Sequence, residues 1–292
     1  MLSQVIINIL ITASLYLLIA QSFTVIYYPT KFFHLAHGAI ITFGAYLSYY
    51  FYISLNFPIL ISVAVSISIS SGLGLLCNIL VYEPMKKRNA KSFEFLIASI
   101  GIYVILQNII SVWFSDSPKN IFTGVISAGH NFLGGYITNI QLFIFFSAII
   151  SFVFLYLFLS KTKTGINIAA ISKNEELTNI YGIEPRKIIR FSFLIGSAIA
   201  AFAGFLAGAD TKMLPTMGFN LFLYGIVAMI IGGVGSITGL ILGSLLVATC
   251  QQLAAFYIGQ VWIDAATYII LILFLIIKPL GFSGNLLHKT EI

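Results

Sequence analysis

Apolar runs of about twenty residues, parted by short polar breaks, recur along almost the whole of this sequence and leave it few ways to fold. A helix needs about 20 mainly apolar residues to cross the hydrocarbon core of a bilayer. Inside that core, only helices or closed barrels satisfy every backbone polar group. Runs near 5–26, 33–54, 57–82, 93–114, 141–160, 191–210, 219–234, 238–257 and 262–279 fit the helical template. They predict an all-α polytopic transmembrane helical bundle of about 8–10 spans, short or broken helices included. Composition agrees: 59% of the 292 residues are hydrophobic and 8% charged, whereas soluble domains carry about 25% charge. So few charges cannot cover a water-facing surface. No stretch outside the runs is long enough to bury its own core, so residues 1–292 read as a single transmembrane domain. The segment from Met1 through Ala20 lacks a basic leader and a cleavage site and reads as a retained first span.

The breaks are informative. Asn56, Phe57 and Pro58 separate the second and third runs, a polar-plus-proline stop. The seventh run is short and ends in Gly232-Gly233-Val234-Gly235-Ser236. Glycines Gly232, Gly233 and Gly235 there predict a broken or re-entrant helix.

Charge gives the orientation. With the loop at 83–92 placed in the cytoplasm, the inner side collects Lys31, Lys86, Lys87, Arg88, Lys91, Lys161, Lys163, Lys173, Arg186, Lys187, Arg190, Lys278 and Lys289. The outer side keeps Lys119 and Lys212, so thirteen of the fifteen cations lie inside. Positive residues accumulate on the cytoplasmic side of membrane proteins. An odd number of spans then puts the N-terminus outside and the C-terminus in the cytoplasm, in a cell (inner or plasma) membrane. The net charge of +6 is spread over short loops rather than one soluble face, so it predicts contact with lipid headgroups and not nucleic acid.

Two segments outside the runs are long. The outer stretch 115–140 holds Gly124, Gly129, Gly134 and Gly135; the inner stretch 161–190 is polar and partly helical in pattern. Ala169, Ala170, Leu177, Ile180 and Tyr181 recur there at mostly helical spacing. Asn174 is placed to cap a short helix, Glu175 and Glu176 suit its first turn, and Gly182 suits its end. A short amphipathic helix on the cytoplasmic side fits a docking element, or an interfacial helix lying on headgroups.

Catalytic chemistry is thin. The acids Glu83, Glu94, Asp116, Asp210 and Asp264 stand at span ends rather than mid-span, which argues against a carboxylate proton relay. His34 and His37, three apart, can share a helix face, but no acidic or cysteine partner stands nearby for a metal. Cys77 and Cys250 sit in apolar runs as small buried hydrophobes. Phosphate-loop, Gly-x-Ser-x-Gly and His-Glu-x-x-His motifs are missing. No cofactor and no enzymatic activity are expected. What the runs do hold is small residues at one-turn spacing, as in Gly196, Ala200, Ala203, Gly204 and Gly208, which lets helices approach closely. Gln107 and Asn108, deep in the fourth run, either cross-link helices or line a polar passage.

Four segments are similar to one family. They are Phe33-His34-Leu35-Ala36-His37-Gly38 with Phe43-Gly44-Ala45-Tyr46; Tyr82-Glu83-Pro84-Met85-Lys86-Lys87 with Ile100-Gly101 and Leu106-Gln107-Asn108; Thr164-Gly165 through Gly182-Ile183 with Gly196 to Gly204; and Gly232 through Gly243 with Lys278-Pro279-Leu280-Gly281. In order and content the chain resembles the membrane permeases of ABC importers for branched-chain amino acids, of the LivH type. It departs at His34, where the family more often has asparagine, and in the stretch 115–140. The resemblance implies a permease without ATP hydrolysis of its own, paired as homo- or heterodimer with a second permease subunit around a translocation path. It implies cytoplasmic ATPase subunits as partners and a solute-binding protein on the outer face. Asn174, Glu175, Glu176, Leu177, Tyr181 and Gly182 match the ATPase-coupling segment within the loop at about 161–190. His34, His37, Gly38, Gln107 and Asn108 are the candidates for the path. Two other classes remain: a stand-alone secondary transporter or channel for a small polar solute, and an intramembrane enzyme or sensor. The latter needs carboxylates or nucleophiles at depth, which the layout does not offer.

Overall fold

The computed structural model describes residues 2–122, 129–132 and 134–282; Gly124 and Lys289 lie outside the described residues. Helices α1 (Leu2–Thr30), α2 (His37–Tyr49), α3 (Ile59–Cys77), α4 (Glu83–Lys87), α5 (Ser92–Phe114), α6 (Asn139–Lys161), α7 (Lys163–Lys173), α8 (Glu175–Ile180), α9 (Pro185–Asp210), α10 (Met217–Gly232), α11 (Ile237–Tyr257) and α12 (Ile263–Ile277) follow in order. Strands β1 (His130–Phe132) and β2 (Gly135–Ile137) pair antiparallel after α5, with Asn131 opposite Tyr136. This small hairpin breaks the otherwise helical plan, in the stretch the sequence left without an assigned structure.

Among the described residues, seven helices are long and apolar enough to cross a membrane: α1, α3 continued through α4, α5, α6, α9, α11, and α12 with the turn before it. The nine apolar runs thus become seven long helices and two short ones. Helix α10 has 16 residues, about 24 Å, less than the roughly 30 Å of the hydrocarbon core. Helix α2 is shorter still, because its run does not begin as helix. Thr30 ends α1, Lys31 takes φ 58°, and the chain stays irregular until Ala36. The expected second span at 33–54 therefore starts at His37. His34 lies in the bend, so the two histidines do not share a helix face. A wide turn at Tyr50–Ser54 extends α2 to its end.

The chain divides into two compact units. One comprises Ser22–Thr123 and Phe154–Phe222. At its centre α2, α3 and α9 pack against one another, and every residue of α2 from His37 to Ser48 is buried. Protein rather than lipid surrounds this helix, which is why it tolerates His37, Thr42, Tyr46 and Ser48. Close approach needs missing side chains. A Cβ on Gly44 would strike the Ala201 backbone, and a Cβ on Gly204 the carbonyl of Ile41. Helices α2 and α9 therefore touch backbone to backbone at two reciprocal points. Helix α3 is pinned to both by hydroxyls: Ser66 Oγ donates to the Gly44 carbonyl at 2.8 Å, and Ser71 Oγ to the Leu194 carbonyl at 2.7 Å. Such bonds carry about 0.6–2 kcal/mol in membrane bundles.

The other unit comprises Met1–Gln21, Gly124–Val153 and Leu223–Ile292. Here α10 and α11 form a tight hairpin. Gly233 and Gly235 take φ 100° and 92°, conformations closed to most L-residues. Ser236 then caps α11, its Oγ accepting the Gly239 N–H at 3.0 Å. The hairpin to β2 is tied to the start of α1, where Gln4 exchanges two hydrogen bonds with the Tyr136 backbone.

The glycine contacts give a direct contrast. Gly204→Val forces a side chain into the Ile41 backbone and is expected to cost about 1–3 kcal/mol or more. Gly101→Ala, facing open space, is expected to cost nothing measurable. Thermal unfolding of the purified variants in detergent checks both.

Candidate functional site

Two constellations in the Ser22–Phe222 unit collect most of the residues singled out by sequence. The first is buried. The bend at 31–36 drops His34 beneath α2, and His37 opens that helix; neither ring is exposed. His34 Nδ1 is hydrogen-bonded to Tyr82 Oη at 2.8 Å, and His37 Nε2 to Ser22 Oγ of α1 at 2.9 Å. The two rings stand 5.8 Å apart, with Phe193 5.2 Å from His34 and Phe222 5.7 Å from His37. His34 Nε2 and His37 Nδ1 have no partner. Buried polar atoms without partners are rare in finished cores, so two in adjacent rings set this bend apart from the apolar packing around it. Gly38 is packed on the backbone of Gly218 and Phe219, where α10 begins. Gln107 and Asn108 are not part of this cluster. Gln107 donates to Ser111, Asn108 donates to the Val104 carbonyl, and Asn108 faces outward from α5. Among the described residues no three His, Cys, Asp or Glu side chains gather to hold a metal.

The second constellation lies at the charged ends of the helices. Asn174 is extended at φ −157° and its Oδ1 accepts the Leu177 N–H at 2.9 Å, which starts α8. Glu175 and Glu176 occupy the first turn, favourable to the helix dipole. Gly182, at φ 79°, closes it with a bond to the Asn179 carbonyl. The helical spacing over 169–181 is thus realised as two helices. The reason is Asn174, whose extended backbone ends α7 as its side chain begins α8. Thr178 is the buried anchor of α8, while Leu177, Ile180 and Tyr181 are 49%, 80% and 77% exposed. Two of these apolar side chains lie on α8 and the third, Tyr181, directly follows it, so they cluster at one end of the helix.

Ion pairs hold this segment. Lys86 of α4 reaches Glu175 at 2.5 Å, and Glu83 accepts a two-pronged contact from Arg190 of α9 at 2.6 and 2.8 Å. A cleft of about 640 Å³ opens among α4, α8 and the start of α9, lined by Lys86, Lys87, Glu175, Asn179 and Arg186 over a floor of Phe32 and Phe95. Sequence reasoning counted these charges for topology and missed their pairing. A lone acid, Glu83, amid the cations of 83–91 was the available signal.

The remaining residues fall in the other unit. Gly232, Gly233 and Gly235 form the α10–α11 turn described above. The same unit holds a buried polar line that sequence reading overlooked. Tyr16 Oη donates to Gln251, and Gln251 Nε2 donates to Thr267 Oγ1 at 2.6 Å. Gln252 donates to Thr12 at 3.0 Å, and at an exposed position Tyr224 donates to Asp264. The Gln251-Gln252 pair in an apolar helix carries the same signal as Gln107-Asn108.

The model of the family described as branched-chain amino acid transport system / permease component matches residues 5–277. The high-affinity branched-chain amino acid transport system permease protein LivH of Escherichia coli is 28% identical over 93% of this chain and 92% of its own. The corresponding protein BraD of Pseudomonas aeruginosa is 29% identical over 97% and 95%. In fold, the chain is similar to a structure of PsaBC from Streptococcus pneumoniae in complex with Fab, with a TM-score of 0.55 at 13% identity over 93% of this chain and 91% of that one.

The cap on α8 is testable alone. Asn174→Ala removes the acceptor for Leu177 N–H, a loss of about 1 kcal/mol. Hydrogen exchange over 174–182 should speed up in this variant and stay near the parent rate in Asn174→Asp.

Proposed function

The chain belongs to the family of branched-chain amino acid transport permease components, and on that footing we propose that it forms the membrane path of an ATP-driven importer for leucine, isoleucine, valine or related amino acids. It is a multi-pass membrane protein. The relatives LivH and BraD are described as permeases of high-affinity branched-chain amino acid transport, which supports the substrate class. The observation that carries the mechanism is α8. A capped, six-residue helix with Leu177 and Ile180 exposed, followed by exposed Tyr181, has the size and surface of an element that seats in a groove of a soluble partner. In this reading the partner is a cytoplasmic ATPase, and Asn174, Glu175, Glu176, Leu177, Tyr181 and Gly182 form the docking segment. ATP hydrolysis belongs to that partner.

The rest of the assembly follows from the same reading. A second permease subunit completes the path, and a solute-binding protein delivers substrate on the outer face. Residues 1–292 act as one permease domain, its N-terminus outside and its C-terminus in the cytoplasm. The pairing of Lys119 with Met213, beside Lys212, through two backbone hydrogen bonds supports the sidedness, because it gathers both expected outer cations at one place. The Lys86–Glu175 and Glu83–Arg190 pairs do the same for the inner side. His34, His37 and Gly38 serve the path, with the unpaired ring nitrogens as its polar contacts; Gln107 and Asn108 stand apart from them on α5. The helix break at Gly232, Gly233 and Gly235 lets α10 end short of a full span. Access alternates as helices rock around this region.

Reconstitution separates this reading from a stand-alone carrier. Vesicles holding the permease with its ATPase subunits and binding protein are expected to accumulate labelled leucine only with ATP inside; vesicles with the permease alone should accumulate none. Ile180→Asp with Tyr181→Ala should lower recovery of the ATPase with the permease by about tenfold or more, as loss of central apolar anchors does. Leucine uptake by the permease alone at the rate of the full assembly would overturn the proposal.

A further inference from the structure

The ion pairs around α4 and the buried histidines are joined by an unbroken series of contacts within one unit. It begins on the docking helix, where Glu175 holds Lys86 of α4 at 2.5 Å. One turn back along α4, Glu83 accepts Arg190 Nε at 2.6 Å and Nη2 at 2.8 Å. Asn78 Nδ2 adds a third bond to Glu83, at 3.0 Å. The Glu83 side chain is only 12% exposed. Helix α4 is therefore clamped on one side to α8 and on the other to α9. Tyr82, the residue before Glu83, is buried, and its hydroxyl holds His34. His34 faces His37, and His37 is bonded to Ser22 on α1.

The two ion pairs differ in what they can transmit. The Lys86–Glu175 contact is single-pronged and half open to solvent, so it constrains distance weakly. The guanidinium of Arg190 grips Glu83 with two parallel bonds, which fix orientation as well as distance. Between this clamp and α3 lies a wide turn, Asn78–Tyr82. Turns of this kind interrupt the regular helical ladder and recur at functional sites.

Resting on the permease reading above, we infer that Glu83 and Arg190 are positioning residues that pass displacement of α8 to the Tyr82–His34 contact. A shift of α8 reaches Arg190 through α9, on which α8 packs, while the Lys86 contact adds a weaker link to α4. The Glu83–Arg190 clamp turns that shift into rotation of the Asn78–Tyr82 turn about α9, and Tyr82 carries it to the bend holding His34. The histidine pair is thereby set by the state of the docking segment, although no residue of that segment touches it.

The test measures solute accumulated per ATP hydrolysed, using the whole transporter with its ATPase subunits and binding protein in vesicles. Arg190→Gln is expected to lower that ratio by about tenfold, within the usual range of coupling between sites, while the complex assembles and hydrolyses ATP at close to the parent rate. Tyr82→Phe, which removes only the hydroxyl from His34, should lower the ratio in the same direction. Exchanging the charges, Glu83→Arg with Arg190→Glu, should restore part of the loss; Arg190→Lys, which keeps charge but not the fork, should fall between. If Arg190→Gln does not assemble, Arg190→Lys and Tyr82→Phe decide the matter. Parallel loss of uptake and hydrolysis, or an unchanged ratio in both Tyr82→Phe and the arginine variants, would overturn the inference. Absence of ATP-driven uptake by the parent assembly would instead overturn the permease reading.

Discussion

Helices α2 and α9 meet backbone against backbone at Gly44 and Gly204, and the arrangement of the Ser22–Phe222 unit depends on that contact. Lipid tails are as apolar as leucine, so burying leucine does not draw helices together in a membrane. What remains is dispersion over closely fitted surfaces and hydrogen bonds in a medium that offers no water. Glycine supplies the first by letting backbones approach. The serines of α3 supply the second by reaching the carbonyls of Gly44 and Leu194. Because α2 is held this way, it can be short, polar in places and enclosed on every side.

That enclosure explains the position of the histidines. A bend between α1 and α2 would expose backbone groups to lipid if it lay on the periphery. Placed beneath a buried helix, it is lined by protein, and His34 and His37 occupy it beside Tyr82, Phe193 and Phe222. Helix α8 is remote in sequence from this bend; Glu83 and Arg190 join α4 to α9, and Tyr82, beside Glu83, bonds His34 in the bend. The charges that read as topology markers are therefore also paired between helices.

The polar line through Tyr16, Gln251 and Thr267 serves the other unit in a related way. Two amides and a phenol hold α1, α11 and α12 where apolar packing gives no directional preference. Helix α12 depends on such bonds more than its neighbours, since its apolar residues Ile269, Ile272 and Ile276 stay exposed within the chain.

Much was legible in the sequence because the membrane imposes a strict length and polarity rule on each helix. The long helices, the glycine break after Gly232 and the cap at Asn174 followed from run length, glycine content and capping chemistry, all of which act over a few neighbouring residues. The family likeness put its coupling segment at 174–182, and a capped helix, Glu175–Ile180, forms there. Tertiary structure decided the rest. It ended α1 at Thr30 and made the second run begin as a bend, because a helix enclosed by protein need not span the hydrocarbon by itself. It separated Gln107 and Asn108 from the histidines, since their orientation depends on the rotation of α5 against its neighbours. It also chose Arg190, among the cations of the inner loops, as the partner of Glu83. Sequence spacing records which side of the membrane a charge occupies; only the packing of α4 against α9 brings two charges 107 positions apart within bonding distance.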